Sequence, residues 1–327
     1  AKEIEKAGAT IINTGIGWHE ARVPTIGTVV PKGGFAWVTK KMMGEVNIPL
    51  IATNRINMPD IAEQVLQEGC SDMVSMARPF LADPELVIKS MEGREAESNT
   101  CIACNQACLD HTFTMQVCSC IVNPRACHET ELNFLPTDSA KKIAVVGAGP
   151  AGLEFATRAA SRGHEVHLYE SDSKVGGQFN MAAIIPGKEE YSQTIRYYQK
   201  MIDLVGVHLH LNTRADAAML KDYDETIIAS GVSPRQVIIE GIDHEKVLDY
   251  VDVLARRKHV GKSVAIIGAG GIGFDMAEFL AHQGESVSLN TPAYMKEWGV
   301  DMAMERAGSL VQTGPDPVAS PREIYLL

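Results

Sequence analysis

The chain has 327 residues, of which 45% are hydrophobic and 22% charged, with a formal net charge of −11. Ordinary globular structure with two or more domains suits that balance. It argues against nucleic acid as a partner, because a phosphate-binding surface needs a basic stripe.

No run is apolar and long enough for a membrane-spanning helix, and no secretory leader is recognisable, so the expected setting is the reducing cytoplasm. Residues 1–98 alternate helix-like and strand-like stretches. AKEIEKAG reads as an amphipathic helix, ATIINTG as a strand, and IGWHEARVPTIG as a polar, Gly-rich loop. A helix around 35–46, a strand IPLIAT, a loop NRINMPD and a helix IAEQVLQEG follow. A last strand, DMVSMARPF, leads to LADPELVIKSMEG. This is the rhythm of a parallel α/β sheet, with chemistry expected at the C-terminal ends of the strands. A closed barrel needs eight strands, and only about two and a half βα units are present. The first residues begin partway through a helical pattern and REIYLL stops inside an apolar run, so an internal piece of a longer chain is expected.

The run CIACNQACLDHTFTMQVCSC places Cys101, Cys104, Cys108 and Cys120 at C-x2-C-x3-C-x11-C. Thiols this close can converge on one soft-metal centre and cannot satisfy several separate disulfides. Structural zinc usually takes two paired knuckles, and the second is missing here. The compact triplet with a distant fourth thiol resembles the iron–sulfur pattern, with zinc as the alternative. Cys118 or Cys127 could replace Cys120 as fourth ligand. Cys70, in an apolar setting, reads as a buried small hydrophobe. The odd count of seven cysteines and their clustering argue against disulfides.

From Lys141 the rhythm restarts. KKIAVVGAGPAGLEFATRAASRGHEVHLYE is strand, Gly-rich turn, helix and a second strand ending in an acid. Gly147, Gly149 and Gly152 form G-x-G-x-x-G, and Glu170 lies at the spacing expected of a ribose-binding carboxylate. Gly176, Gly177 and Gln178 offer a second backbone loop to the same ligand. After a strand ETIIASG, the run KSVAIIGAGGIGFDMAEFLAHQGESVSLN repeats the fingerprint with Gly268, Gly270 and Gly273. Its second strand is expected to end at Asn290. The lack of an acid there leans towards NADPH over NADH, although no Arg or Lys directly follows.

Taken together, TGIGWHEARVPTI, ATNRIN, MARPFLADPEL, NTCIACNQACLD, VNPRACHE and the two fingerprints in order resemble the bacterial-type 2,4-dienoyl-CoA reductases. These belong to the old yellow enzyme-like iron–sulfur flavoproteins. The resemblance covers essentially the whole chain. It implies the C-terminal part of an FMN-binding (β/α)8 TIM barrel over 1–98 and a [4Fe–4S] linker over 99–139. Rossmann-like FAD and NADPH domains, both incomplete, are implied over 140–235 and 236–327. Electrons would run from NADPH to FAD, through the cluster to FMN, and to a dienoyl thioester of fatty-acid β-oxidation. Acyl-CoA and NADPH are the implied small-molecule partners, with no obligatory protein partner.

By the same resemblance His19 is the active-site histidine, and Glu20, Ala21 and Arg22 line the thioester site with it. A histidine can polarise the thioester carbonyl or deliver a proton near neutral pH. The family's proton-donor tyrosine lies upstream of this sequence, so no tyrosine here inherits that role. Arg55, Ala77 and Arg78 match the FMN phosphate site. Gly147, Gly149, Ala151, Gly152, Glu170 and Gln178 match FAD contacts, and Gly268, Gly270 and Gly273 the nicotinamide-nucleotide contacts. Cys101, Cys104, Cys108 and Cys120 match the cluster ligands. An enoate or steroid enone reductase of the same architecture, or a related amine dehydrogenase, remains the alternative.

Overall fold

A computed structural model gives the structure of the protein for residues 1–17, 21–235 and 237–327, with residue 307 described by its backbone alone. The fold is α/β and divides into two units. The first joins Ala1–Glu131 with Gln283–Ala319, and the second joins Leu132–His282 with Ser320–Leu327.

In the first unit β1 (Ile12–Thr14), β2 (Leu50–Ala52) and β3 (Met73–Val74) form a parallel sheet in that order. Ile12 lies opposite Leu50 and Ile51 opposite Met73. Helices Ala36–Lys40 and Pro59–Gln67 make the crossovers. The second starts with Pro59 in its first turn, where a missing N–H costs nothing, and with Asp60 placed to favour the helix dipole. Ala36, Ala52, Ile56, Val65 and Cys70 bury together beneath it, and burial pushes the Cys70 thiol upward in pKa. Two expectations shrink. The helix expected over 35–46 stops at Lys40, beyond which tight turns lead to Gly44 at φ +80°. The strand expected to run through MARPF stops at Val74, and Arg78–Ala82 is a short helix with proline in its first turn.

The second unit carries the Rossmann pattern. Strands β4 (Lys142–Val146), β5 (Glu165–Tyr169), β6 (His208–His210) and β7 (Glu225–Ile228) are all parallel, in the order β6-β5-β4-β7. That order is the mononucleotide-binding half of a doubly wound sheet. Helices Pro150–Ser161 and Ser192–Val205 bury Leu153, Ala156, Tyr198 and Ile202 against Val145, Val166 and Leu168. A smaller parallel pair, β8 (Ser263–Ile266) and β9 (Glu323–Leu326), packs with helix Gly271–Ala281 through Val264, Met276, Leu280 and Ile324.

That pairing corrects the reading of the second fingerprint. ESVSLN is not its second strand: Val287–Leu289 is a single 3-10 turn, and Asn290 caps helix Thr291–Glu297 by accepting from the Ala293 N–H at 3.0 Å. The strand beside β8 is the chain's last stretch, EIYL. Asn290 is therefore not the ribose-facing position, and the lean to NADPH drawn from it falls. Local pattern misled because the intervening residues, 283–319, leave the nucleotide fold. They belong to the first unit, where Tyr294 and Met295 are fully buried among Val30, Phe35 and Trp37. Among the described residues no helix is long and apolar enough to cross a membrane.

Candidate functional site

Three assemblies carry chemistry, two in the first unit and one in the second. The first is the loop after β1. His19 and Glu20 lie outside the described residues. Ala21 is half-buried and Arg22 exposed. The ends of this loop close on one another, since a Cβ at Gly17 would stand 2.8 Å from Thr25 Cγ2. Asn54 clasps both ends. Its Oδ1 accepts from Ile16 N–H at 3.1 Å, and its Nδ2 donates to the carbonyls of Ile16 at 3.0 Å and Thr25 at 3.3 Å. It does so from the left-handed region, φ +74°, which asparagine tolerates better than most residues. Arg55 is buried and donates Nε to Val30 O at 2.9 Å, while Arg78 Nη2 donates to Ile26 O at 2.8 Å. Both arginines matched to the FMN phosphate thus hold this loop. Ala77 sits just before the helix that Arg78 begins.

The second assembly is the cysteine run. Cys101, Cys104, Cys108 and Cys120 line one small cavity with Arg78, Leu81, Asn105, Ile121 and Val122. All seven cysteines are free thiols. Burial raises the pKa of Cys104 and pushes that of Cys120 up to about 11, with nearby cysteines adding to both. Cys118 and Cys127 are not on the cavity wall; the Cys118 thiol is raised in pKa by burial first and then by the neighbouring Cys127 and Cys108. Four thiols converging on one cavity fit a soft, multinuclear group that would hold them as thiolates. Among the described residues no group of three or more His, Cys, Asp or Glu side chains is placed so as to hold a metal ion.

Buried amides frame this cavity. Asn57 Nδ2 donates to Cys101 O at 2.8 Å, Asn99 Nδ2 to Val122 O at 2.6 Å, and Asn123 Nδ2 to Leu81 O at 2.8 Å. Asn105, at φ +63°, accepts from Arg78 Nη1. Asp83, almost fully buried, accepts from the N–H of Asn99 at 2.9 Å and from Lys89 Nζ at 2.7 Å. Sequence reading missed Asn54, Asn57, Asp83 and Asn99. All four are polar side chains inside the quoted motifs; only Asn57 and Asp83 have an apolar neighbour on either side, so no single local signal marks the set.

The third assembly is the glycine cradle of the second unit. Gly147 has φ +103°. A Cβ at Gly152 would stand 1.9 Å from Gly147 O, so only glycine lets helix and turn pack. At Gly149 a Cβ would meet no protein atom within 4 Å, which leaves the approach to the N-terminus of helix Pro150–Ser161 open to a pyrophosphate. Ala151 lies in that first turn. The Glu170 carboxylate accepts from Ala148 N–H at 2.8 Å and Asp172 N–H at 2.9 Å, so it shapes the turn. Gly176 N–H donates to Ala148 O at 2.8 Å, and Gln178 Nε2 to Val232 O at 2.9 Å. The second fingerprint repeats the logic: a Cβ at Gly273 would meet Gly268 O at 1.8 Å, whereas Gly270 faces open space. The cradle residues fit FAD and a nicotinamide nucleotide.

Comparison with known proteins accords with the first and third assemblies, and the family matches fall on either side of the cysteine run. Residues 1–97 match the NADH:flavin oxidoreductase / NADH oxidase family, and residues 141–291 match the pyridine nucleotide-disulphide oxidoreductases. A metal reductase of Desulforamulus reducens is 42% identical over 86% of this chain and 43% of its own length. A cinnamate reductase of Clostridium sporogenes is 32% identical over 88% of this chain and 44% of its own. A solved 2-naphthoyl-CoA reductase in complex with 2-naphthoyl-CoA aligns over 99% of this chain and 54% of that one, with TM-score 0.82 and 29% identity. The chain thus spans less than half the length of these two curated relatives. With both domains present in this order, and relatives of this kind, the chain belongs to the old yellow enzyme-like flavoproteins.

Proposed function

We propose that the protein is a nicotinamide nucleotide-driven flavoenzyme that reduces a conjugated carbon–carbon double bond in an acyl-CoA thioester, with 2,4-dienoyl-CoA as the substrate and NADPH as the donor. The observation that carries this reading is the alignment of 99% of the chain with a reductase solved in complex with 2-naphthoyl-CoA at 29% identity, together with the sequence HEARVPTI, whose described residues from Ala21 onward follow β1. FMN, FAD and a [4Fe–4S] cluster supply hydride and single-electron chemistry when bound.

The chain's own residues bind and orient. Arg55 and the Ala77–Arg78 backbone would hold the FMN phosphate, while the two guanidinium groups also fix the loop after β1. His19 polarises the thioester carbonyl, with Glu20, Ala21 and Arg22 beside it. A fixed donor at that oxygen withdraws charge from the conjugated system and favours hydride addition. Cys101, Cys104, Cys108 and Cys120 hold the cluster in a cavity whose wall is otherwise mostly apolar. Gly149 and Gly270 leave room for the two pyrophosphates.

A second reading is favoured by the 42% identity to a metal reductase: single electrons pass outward to a metal ion. Anaerobic turnover of the protein at its natural length separates the two. NADPH oxidation that depends on a dienoyl-CoA, with the reduced thioester recovered in equal amount, supports the first. Oxidation that responds only to a ferric chelate supports the second and sinks the first. NADH supporting turnover as well as NADPH would remove the donor assignment alone.

A further inference from the structure

We propose that Tyr294 is a positioning residue for the loop over 16–30, which gives the segment 283–319 a part in holding that loop even though it interrupts the second nucleotide-binding fold. The proposal rests on reading that loop as the thioester site. Tyr294 is completely buried, and its phenol donates to the carbonyl of Pro24 at 2.6 Å. The next carbonyl, that of Thr25, is taken by Asn54. Two consecutive carbonyls are therefore gripped from two directions: by an asparagine just after β2, and by a tyrosine about 240 residues further along the chain.

These grips sit at the end of a closed loop. Gly17 and Thr25 touch at its neck, Asn54 binds both sides of that neck, and the residues between them include His19, Glu20, Ala21 and Arg22. The course of such a loop follows from where its ends are fixed. Releasing the grip at Pro24 leaves the neck held from one side only.

The segment bearing Tyr294 is itself built to hold position. Asn290 caps its helix at Ala293 N–H, and Lys41 Nζ donates to Ala303 O at 3.3 Å. Met295 is fully buried against Val30 and Phe35, residues that continue the same loop. Burial keeps the phenol protonated far above the ordinary tyrosine range, so it remains a donor at every working pH. Phenylalanine at 294 fills the same volume and leaves the Pro24 carbonyl without its partner.

The test is Y294F in the protein at its natural length, followed by two readouts. Backbone amide exchange over 16–30 should accelerate while that of helix Thr291–Glu297 stays as in the wild type. The KM for the unsaturated thioester should rise about ten-fold with kcat within about two-fold, the signature of weakened ground-state positioning. NADPH-driven flavin reduction should be unchanged. N290A, which loosens the same helix without touching the phenol, should move the same readouts less, and it replaces Y294F if that variant does not fold. Unchanged exchange over 16–30 overturns the proposal whatever the substrate proves to be. Slower flavin reduction by NADPH with an unchanged KM also overturns it, because the segment would then serve the nucleotide fold. Wild-type protein that turns over no thioester counts against the thioester reading alone, and amide exchange still decides the role of Tyr294.

Discussion

Alanine at Gly152 and alanine at Gly149 should damage the protein in different ways. At Gly152 the new Cβ would lie 1.9 Å from the Gly147 carbonyl oxygen. Gly147 has little room to yield, because even a Cβ built on it would stand 2.4 Å from the Ala229 carbonyl oxygen. Restoring ordinary contact needs a backbone shift of roughly 1.5 Å. Overpacking of this kind costs about 1–3 kcal/mol, and backbone against backbone belongs at the upper end. About 3 kcal/mol corresponds to a melting temperature lower by roughly 6–12 °C for a unit of this size. At Gly149, φ is −76° and no protein atom lies within 4 Å. Alanine there should change stability by no more than about 0.5 kcal/mol, since the gain in unfolded-chain entropy offsets the weaker helix cap. Its methyl group would instead fill the space needed by the pyrophosphate, and FAD affinity should fall about 100-fold, some 2.7 kcal/mol. Thermal melting of the flavin-free protein and titration with FAD measure the two effects separately. Equal loss of melting temperature in both variants, or wild-type FAD binding by G149A, would refute the assignment of one glycine to packing and the other to ligand.

D83A should take from Lys89 the nearer of its two carboxylate partners, leaving Glu85 at 3.6 Å, and from Asn99 N–H its acceptor, a loss of about 3 kcal/mol, the lower end for a broken buried pair. Iron content should fall with it, and a variant with wild-type melting temperature and iron would count against this role. His210 should make the second unit acid-sensitive. Burial first, then the neighbouring His167 and His208, hold its pKa below the ordinary 6.5. His167 stands 2.9 Å from it at the ring nitrogens, with Glu165 on the far side of His167. The unfolded chain therefore binds a proton that the folded state resists. Stability is intact above about 6.5 and declines as pH falls below it. Urea melts at pH 7.5 and 5.5 should show this decline, and H210N should flatten it; an identical slope in both proteins would refute the attribution.

The strand, glycine turn, helix and second strand of the Rossmann half were legible because they are consecutive, and local pattern suffices there. The convergence of Cys101, Cys104, Cys108 and Cys120 was legible from spacing, and the cavity excludes Cys118 and Cys127 from its wall. What escaped depends on distant pairing. ESVSLN has a strand-like alternation, yet the place beside β8 is taken by residues 323–326, and only the register reveals it. The match of Arg55 and Arg78 to an FMN phosphate did not reveal that both also hold the loop after β1. Their bonds to Val30 and Ile26 carbonyls come from chain that loops back, which no local window contains. Tyr294 was invisible for the same reason.

Iron, acid-labile sulfide and flavin, measured together on protein purified without oxygen at its natural length, test the central claim most directly. About four iron and four sulfide per chain, with one FMN and one FAD, is the expected result. Substituting Cys120 with alanine should then lower iron content, while the same change at Cys127 should not. Zinc in place of iron, or a single flavin, would contradict the four-thiol cluster site and the two-flavin reading.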